Sequence, residues 1–338
     1  MPAPDLALVS LGTTPGLRRA DAAFAEMARE AGADCELVPV RIGRGAVLRR
    51  HPALTDLVES LYARRSARGG ARATVYSTVT AALLQPERPG RVAVRFDSAA
   101  SLNRPGIAGA WQRRVERRVL ARADLLLPWS DAARLASPGG APSVVLPVPV
   151  EEIGGGEERD VDGLAYCGYP EKRGLDILCA AWGDSGGRLV IGGIDAERGR
   201  EWLARRGVAE PPGTEWLGAL PRAQWLDWVT RARVFINASR REDHGLAQLE
   251  ALAAGCALVT VPSPGPYAAL ALARELNSIL VAADVSAGAL GGSIRSGLAL
   301  GRAELAAYRE RALGLIAPHR PDAVRATMRD EVLPRLLG

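Results

Sequence analysis

The chain has 338 residues, 48% of them hydrophobic and 24% charged, which excludes a disordered polymer and is enough for two domains with separate cores. Its formal charge of +5 hides an asymmetry, because residues 1–150 hold 21 arginines against 13 acids while the remainder is mildly acidic. No apolar run approaches the length of a membrane span. The four cysteines, Cys35, Cys167, Cys179 and Cys256, lack the spacing of a metal site or redox pair, so buried free thiols in a reducing compartment are expected.

Taken in chain order, the opening run LALVSL turns at Gly12 and is preceded by Asp5 with no basic leader. It reads as a first strand and not as a signal peptide, which makes a cytoplasmic location the expectation. The helical pattern ADAAFAEMAREAG follows, then RVAVRF, AGAWQRRVERRVLARA and DLLLPWS. This alternation predicts a parallel sheet with helices on both faces. SVVLPVPV ends the first half, and the acidic, glycine-rich stretch EEIGGGEERDVDG reads as a linker. The rhythm then restarts with LAYCG, GLDILCAAWG, RLVIGG, EWLARRG, TEWLG, RAQWLDWVTRA, RVFINAS, LAQLEALAAG and ALVTV. An α/β chain of two doubly wound domains facing a shared cleft is predicted. From about residue 285 the chain reads as helical, with Pro318 and Pro321 before a last helix, DAVRATMRDEVLPRLLG.

The basic half concentrates Arg113, Arg114, Arg117, Arg118 and Arg122 on one predicted helix, and RIGRGAVLRRH adds Arg41, Arg44, Arg49 and Arg50. A solvated face accounts for these charges, and a peripheral contact with anionic membrane at its inner face stays open. Nucleic acid is not expected as a partner, since no aromatics are interleaved for stacking and no binding motif is present.

Ligands of open parallel sheets sit at the carboxyl ends of the strands. After RVFINAS comes RREDHGLAQLEALAAGCALVT, in which Leu246, Leu249 and Ala253 recur at helical spacing and Gly255 supplies a stop. A helix is therefore expected to start near Gly245, with Glu242 in the loop before it and Glu250 on its second turn. The unpaired N–H groups at such a start suit a phosphate. Glu242 could then accept hydrogen bonds from hydroxyls just beyond that phosphate.

This segment resembles the signature of retaining glycosyltransferases of family 4, which have the GT-B fold. Ser239, Glu242, Gly245, Leu246 and Glu250 match that signature, while Asp243 and His244 stand where the family more often has glycine and phenylalanine. The stretch LAYCGYPEKRGLDILCAAW is similar to the first strand, loop and helix of the family's donor domain, where a basic residue before a glycine clamps the donor diphosphate. Here Tyr169 takes the place of the usual arginine, and Lys172, the only lysine in the chain, stands with Arg173 before Gly174. Either cation, or both, would be the clamp.

The resemblance implies an acceptor-side domain over 1–150, a nucleotide-sugar donor domain over 151–317, and a C-terminal helix over 318–338 whose packing back on the first domain stays open. It implies transfer of a sugar from a nucleotide-sugar donor to an acceptor with retention, needing no metal or cofactor. On this reading Lys172, Arg173, Glu242 and Asp97 are the catalytic candidates. The donor-binding candidates are Gly12, Gly16, Ser239, His244, Gly245, Leu246 and Glu250. Gly12 and Gly16, beside the first strand, would allow close backbone approach to a diphosphate. Many family members carry a histidine after the fourth strand, where this chain has Phe96 followed by Asp97. Arg95, Asp97 or Asn103 would take over its role, or the role is dispensable.

The DVD of Asp160–Asp162 has the spelling of a metal-binding motif but falls before a strand, so a solvated linker is the reading preferred. Structural roles are expected for His51 and His319, which lack ligand spacing. A nucleotide-sugar epimerase or phosphorylase of the same fold, or a non-catalytic sugar-nucleotide binding module, are the alternatives.

Overall fold

Two five-stranded parallel sheets organise the chain, and a computed structural model describes them over residues 3–43, 52–67, 69–86, 89–104, 106–107, 109–154, 159–183, 185 and 187–338. The first sheet holds β1 (Leu6–Ser10), β2 (Cys35–Pro39), β3 (Ala73–Tyr76), β4 (Arg91–Phe96) and β5 (Leu125–Pro128), in the order β2-β1-β3-β4-β5. The second holds β6 (Val161–Tyr166), β7 (Leu189–Gly192), β8 (Glu215–Gly218), β9 (Ala232–Asn237) and β10 (Ala257–Thr260), in the order β10-β9-β6-β7-β8.

The chain divides into two compact units, residues 1–149 with 321–338 and residues 150–320. Within the first, strand alternation sorts side chains onto two faces. Leu6 and Leu8 of β1, with Leu125 and Leu127 of β5, join one apolar cluster; Val9 and Leu126 join another. Both faces are covered, as a parallel sheet requires. The helix Pro15–Glu30 closes the first face with Phe24 and Ala28, together with Val324, Met328 and Val332 from the end of the chain, all 0% exposed. Each such large apolar side chain contributes about 1.5–3 kcal/mol by burial, which binds the last helical segment into this unit.

The second unit has one continuous core. Trp182 lies under β6, where a Cβ on Gly163 would meet its ring at 2.3 Å. Asp162, read from the sequence as linker, belongs to β6 itself. Its carboxylate accepts the N–H of Arg188 at 2.9 Å and faces Arg233 at 3.4 Å, while Asp160 pairs with Arg188 and Arg231. The two acids of the DVD therefore hold β6 to its neighbours.

Strands β2 and β3 are absent from the sequence reading. The buried run ATVY of β3 has four residues and shows no alternation, and CELVP of β2 is a short edge strand. Neither carries the periodic signal that marks a longer element.

Candidate functional site

In the second sheet the strand order reverses between β6 and β9, the place where a crevice opens at the carboxyl ends of an open α/β sheet. The two loops that leave these strands carry most of the residues singled out in the sequence. After β6 the chain makes a short helical turn, Pro170–Arg173, and passes through Gly174 into the helix Leu175–Trp182. Gly174 has φ of 64°, and a Cβ there would stand 2.1 Å from the carbonyl oxygen of Ala238. Only glycine lets the loops after β6 and β9 approach so closely. The N–H of Arg240 donates to the carbonyl of Lys172 at 2.9 Å and locks the two loops together.

After β9 the loop from Ala238 to His244 enters the helix Leu246–Ala253 through Gly245, at φ 83°. A Cβ on Gly245 would meet the ring of Tyr267 at 2.5 Å. The loop rests on a buried polar network. Ser239 donates to Asn237 Oδ1 at 2.6 Å, Asn237 Nδ2 donates to Thr260 at 3.0 Å, and Ser263 donates to the carbonyl of Ser239 at 2.7 Å. Satisfied buried networks of this kind hold one geometry.

On this base the charged groups converge. Arg173 Nη1 donates to Glu242 Oε2, and Gln248 Nε2 reaches the same oxygen at 3.0 Å, with Ser239 Oγ at 3.5 Å. Glu242 is 4% exposed. All its partners among the described residues use Oε2, which leaves Oε1 available to a ligand hydroxyl. Arg173 likewise keeps Nη2 without a hydrogen-bond partner among the described residues. Lys172 Nζ donates to Asp243 Oδ2 at 2.8 Å, and Arg241 grips Oδ1 of the same carboxylate at 2.9 Å. Burial would raise the Asp243 carboxyl, but the Lys172 and Arg241 cations outweigh it and hold the group below its usual range.

Glu250, on the second turn of the helix and 3% exposed, pairs with Arg222 Nη1 at 2.8 Å. Arg222 Nη2 is buried without a hydrogen-bond partner among the described residues. His244 is buried at the end of the loop, and burial, with His319 nearby, pushes its imidazole down to about 3. Burial therefore favours the neutral imidazole. Leu246 is half-buried on the first turn, packed against the core of this unit.

Lys172, Arg173, Ser239, Glu242, His244, Gly245, Leu246 and Glu250 thus lie in the second unit, around the β6–β9 junction. Gly12, Gly16 and Asp97 lie in the first unit. Gly12 follows β1 at φ 52°, and Gly16 lies in the first turn of the helix Pro15–Glu30. Phe96 is 1% exposed and packs into a core cluster with Val9 and Tyr76. Arg95, one substitute considered for the family histidine, is 1% exposed and ion-paired to Asp21 at 3.1 Å, in the interior. Asp97 and Asn103 do line a hollow in this unit.

Sequence reasoning missed Arg222 and Gln248. Arg222 meets Glu250 across 28 positions, which no local pattern marks. Gln248 sits on the first turn of the same helix and reaches Glu242 in the preceding loop, six residues away, a separation that helical spacing does not mark. Of the basic helix, Ala110–Arg122, Arg113 is half-buried and donates to the carbonyl of Arg104, whereas Arg114, Arg117, Arg118 and Arg122 are exposed. Arg44, Arg49, Arg50 and His51 lie outside the described residues. Among the described residues no group of three or more His, Cys, Asp or Glu side chains is placed to hold a metal ion, and no helix is long and apolar enough to cross a membrane.

Residues 163–295, which span both loops, match the family described as Glycosyl transferases group 1. Sucrose-phosphate synthase from Thermosynechococcus elongatus superposes with a TM-score of 0.69 at 14% identity, covering 96% of each chain. HepE from Anabaena, in a crystal structure with UDP and glucose, gives 0.68 at 12% identity over 97% of this chain and 98% of that one. The fold is GT-B. Trehalose-6-phosphate synthase OtsA gives the same GT-B architecture at 0.66 and 11% identity, over 95% of this chain and 97% of that one. No curated protein matches the chain in sequence.

Proposed function

We propose that the chain is a retaining glycosyltransferase of family 4, which moves a sugar from a nucleotide diphosphate donor to an acceptor hydroxyl without a metal ion. The observation that carries this reading is the Arg173–Glu242 pair at the β6–β9 junction, with Nη2 of the one and Oε1 of the other unengaged among the described residues. A cation and a carboxylate so joined offer adjacent sites for a phosphate and for a sugar hydroxyl. The N–H groups at the start of the helix Leu246–Ala253 add a second attraction for the phosphate.

In this mechanism the bond from the sugar's anomeric carbon to the diphosphate oxygen breaks, and negative charge grows on that oxygen. Arg173 and Lys172 stabilise it more in the transition state than in the ground state. Glu242 fixes the sugar through a hydroxyl, and Glu250 with Arg222 serves the ribose. The acceptor oxygen bonds to the anomeric carbon on the face the diphosphate leaves, and its proton passes to a phosphate oxygen.

UDP-glucose is the first donor to test, because HepE was crystallised with UDP and glucose. Incubation with labelled UDP-glucose and an acceptor panel should give a glycoside whose anomeric proton coupling matches the donor's. A product of inverted configuration would overturn retention; donor isomerised without transfer, or sugar phosphate formed with added phosphate, would turn the reading to an epimerase or a phosphorylase. The exposed Arg114, Arg117, Arg118 and Arg122 would add peripheral attraction to anionic membrane, about 1 kcal/mol each. Sedimentation with anionic vesicles no greater than with neutral ones would remove that contact.

A further inference from the structure

The first unit carries a hollow of about 300 Å³, at the small end of the range for ligand pockets. Thr13 beyond β1, Thr78 beyond β3 and Asp97 beyond β4 line it. In the sheet order β2-β1-β3-β4-β5 the direction of winding reverses between β1 and β3, so the hollow opens where such a sheet takes a ligand.

Its floor is built from buried polar groups. Asp56, 3% exposed, is gripped by Arg104 through Nε at 2.7 Å and Nη2 at 2.8 Å. Gln112, 4% exposed, donates Nε2 to Asp56 Oδ2 at 3.3 Å, and its Oε1 is buried with no hydrogen-bond partner among the described residues. Glu116, 3% exposed, accepts the N–H of Ala100 at 2.9 Å on both oxygens. Burial pushes its carboxyl up to about 7. Thr78 accepts the N–H of Ala81 at 3.1 Å as a helix cap, which leaves its hydroxyl proton to give.

These groups state a preference. A buried amide oxygen without a donor is costly, and a hydroxyl from a ligand removes that cost. An incoming phosphate or carboxylate would find Arg104, the one cation among the described lining residues, already held by Asp56. It would also face the carboxylate of Asp56. We propose that this pocket holds the acceptor as an uncharged, polyhydroxylated molecule and rejects its phosphorylated counterpart. The word acceptor rests on the glycosyltransferase reading; the selectivity of the pocket does not.

Ligand-observed NMR on the full chain tests this with glucose, myo-inositol and trehalose, each beside glucose 6-phosphate, inositol 1-phosphate and trehalose 6-phosphate, with and without UDP. At least one neutral member should bind about tenfold or more tighter than its phosphate, and Gln112→Leu should weaken it about tenfold while UDP binding is unchanged. Asp56→Asn frees Arg104 and should bring the phosphorylated partner closer to the neutral one in affinity. The inference is overturned if the phosphates bind as well as the neutral members, if no neutral member binds, or if Gln112→Leu changes nothing. Retained UDP binding with no preference for neutral polyols removes only this inference. Loss of UDP binding in the unaltered chain, with the preference intact, removes the donor reading instead.

Discussion

Lys172 Nζ donates to Asp243 Oδ2 at 2.8 Å, so the only lysine of the chain is held by an acid from the loop after β9. In the free protein this charge is already answered. Arg173 is paired as well, to Glu242, but its side chain is less exposed, 22% against 41% for Lys172, and its Nη2 is unengaged among the described residues. Arg173 is therefore the stronger candidate for the diphosphate.

Arg173→Met should lower kcat/KM for the donor by roughly 10- to 150-fold, the range for losing a charged hydrogen bond of about 1.5–3 kcal/mol. The loss should fall more on kcat than on KM, because the charge it answers grows in the transition state. Lys172→Met should cost less. Asp243→Asn should tighten UDP binding by about 1 kcal/mol, roughly fivefold, by releasing Lys172 from its partner. Titration calorimetry that finds weaker UDP binding in Asp243→Asn would show the acid to be an aid and not a competitor.

The site was legible where its parts are local. Strand, serine, glutamate, left-handed glycine and helix follow one another between Ala232 and Ala253, and each leaves its own mark in spacing or residue type. The helix start at Gly245 could be read because Leu246 and Leu249 repeat on one side. What joins distant segments left no mark: the Arg173–Glu242 pair spans 69 positions and the Arg222–Glu250 pair 28. The DVD misled for a related reason. Its acids look solvated in sequence, yet Asp162 lies inside β6, and Arg188 just before β7, Arg231 just before β9 and Arg233 within β9 answer the pair. Arg95 misled in the other direction, since nothing in RVAVRF tells that its guanidinium turns inward to Asp21.

The two glutamates should separate in function. Glu250, tied to Arg222, is assigned to the nucleotide, and Glu242, with Oε1 unengaged among the described residues, to the transferred sugar. Glu250→Gln and Arg222→Met should each weaken UDP binding by about 1–2 kcal/mol, roughly 5- to 30-fold. Glu242→Gln should leave UDP affinity nearly as it was and lower turnover at least tenfold. Equal loss of UDP affinity in Glu242→Gln and Glu250→Gln would refute that division.

The Arg95–Asp21 pair predicts a stability effect independent of any ligand. Both side chains are nearly fully buried, with the guanidinium between Phe24 at 4.5 Å and Trp129 at 5.5 Å, and Ser10 donates to the other oxygen of Asp21. Arg95→Met leaves a buried carboxylate without its cation and should cost about 3–5 kcal/mol. Asp21→Leu combined with Arg95→Met should recover much of that loss, because no lone charge remains. Urea unfolding of both variants measures the difference; a double variant no more stable than Arg95→Met would mean that the lone buried carboxylate is not the source of the loss.

Acid should weaken the fold through His244. The His244 imidazole falls from 6.5 to about 3 on folding, through burial first and His319 second. The unfolded chain therefore binds a proton that the folded chain refuses. Its contribution to stability is full above the unfolded value of 6.5 and is lost progressively as pH falls from there toward about 3. Phenylalanine, the residue more usual at this position in the resembled family, fills a similar space and takes up no proton. His244→Phe should unfold at higher urea than the unaltered chain at pH 5, while the two lie closer at pH 8. Parallel stability profiles for the two proteins between those conditions would mean that the imidazole is protonated in the folded state and that the loop opens around it.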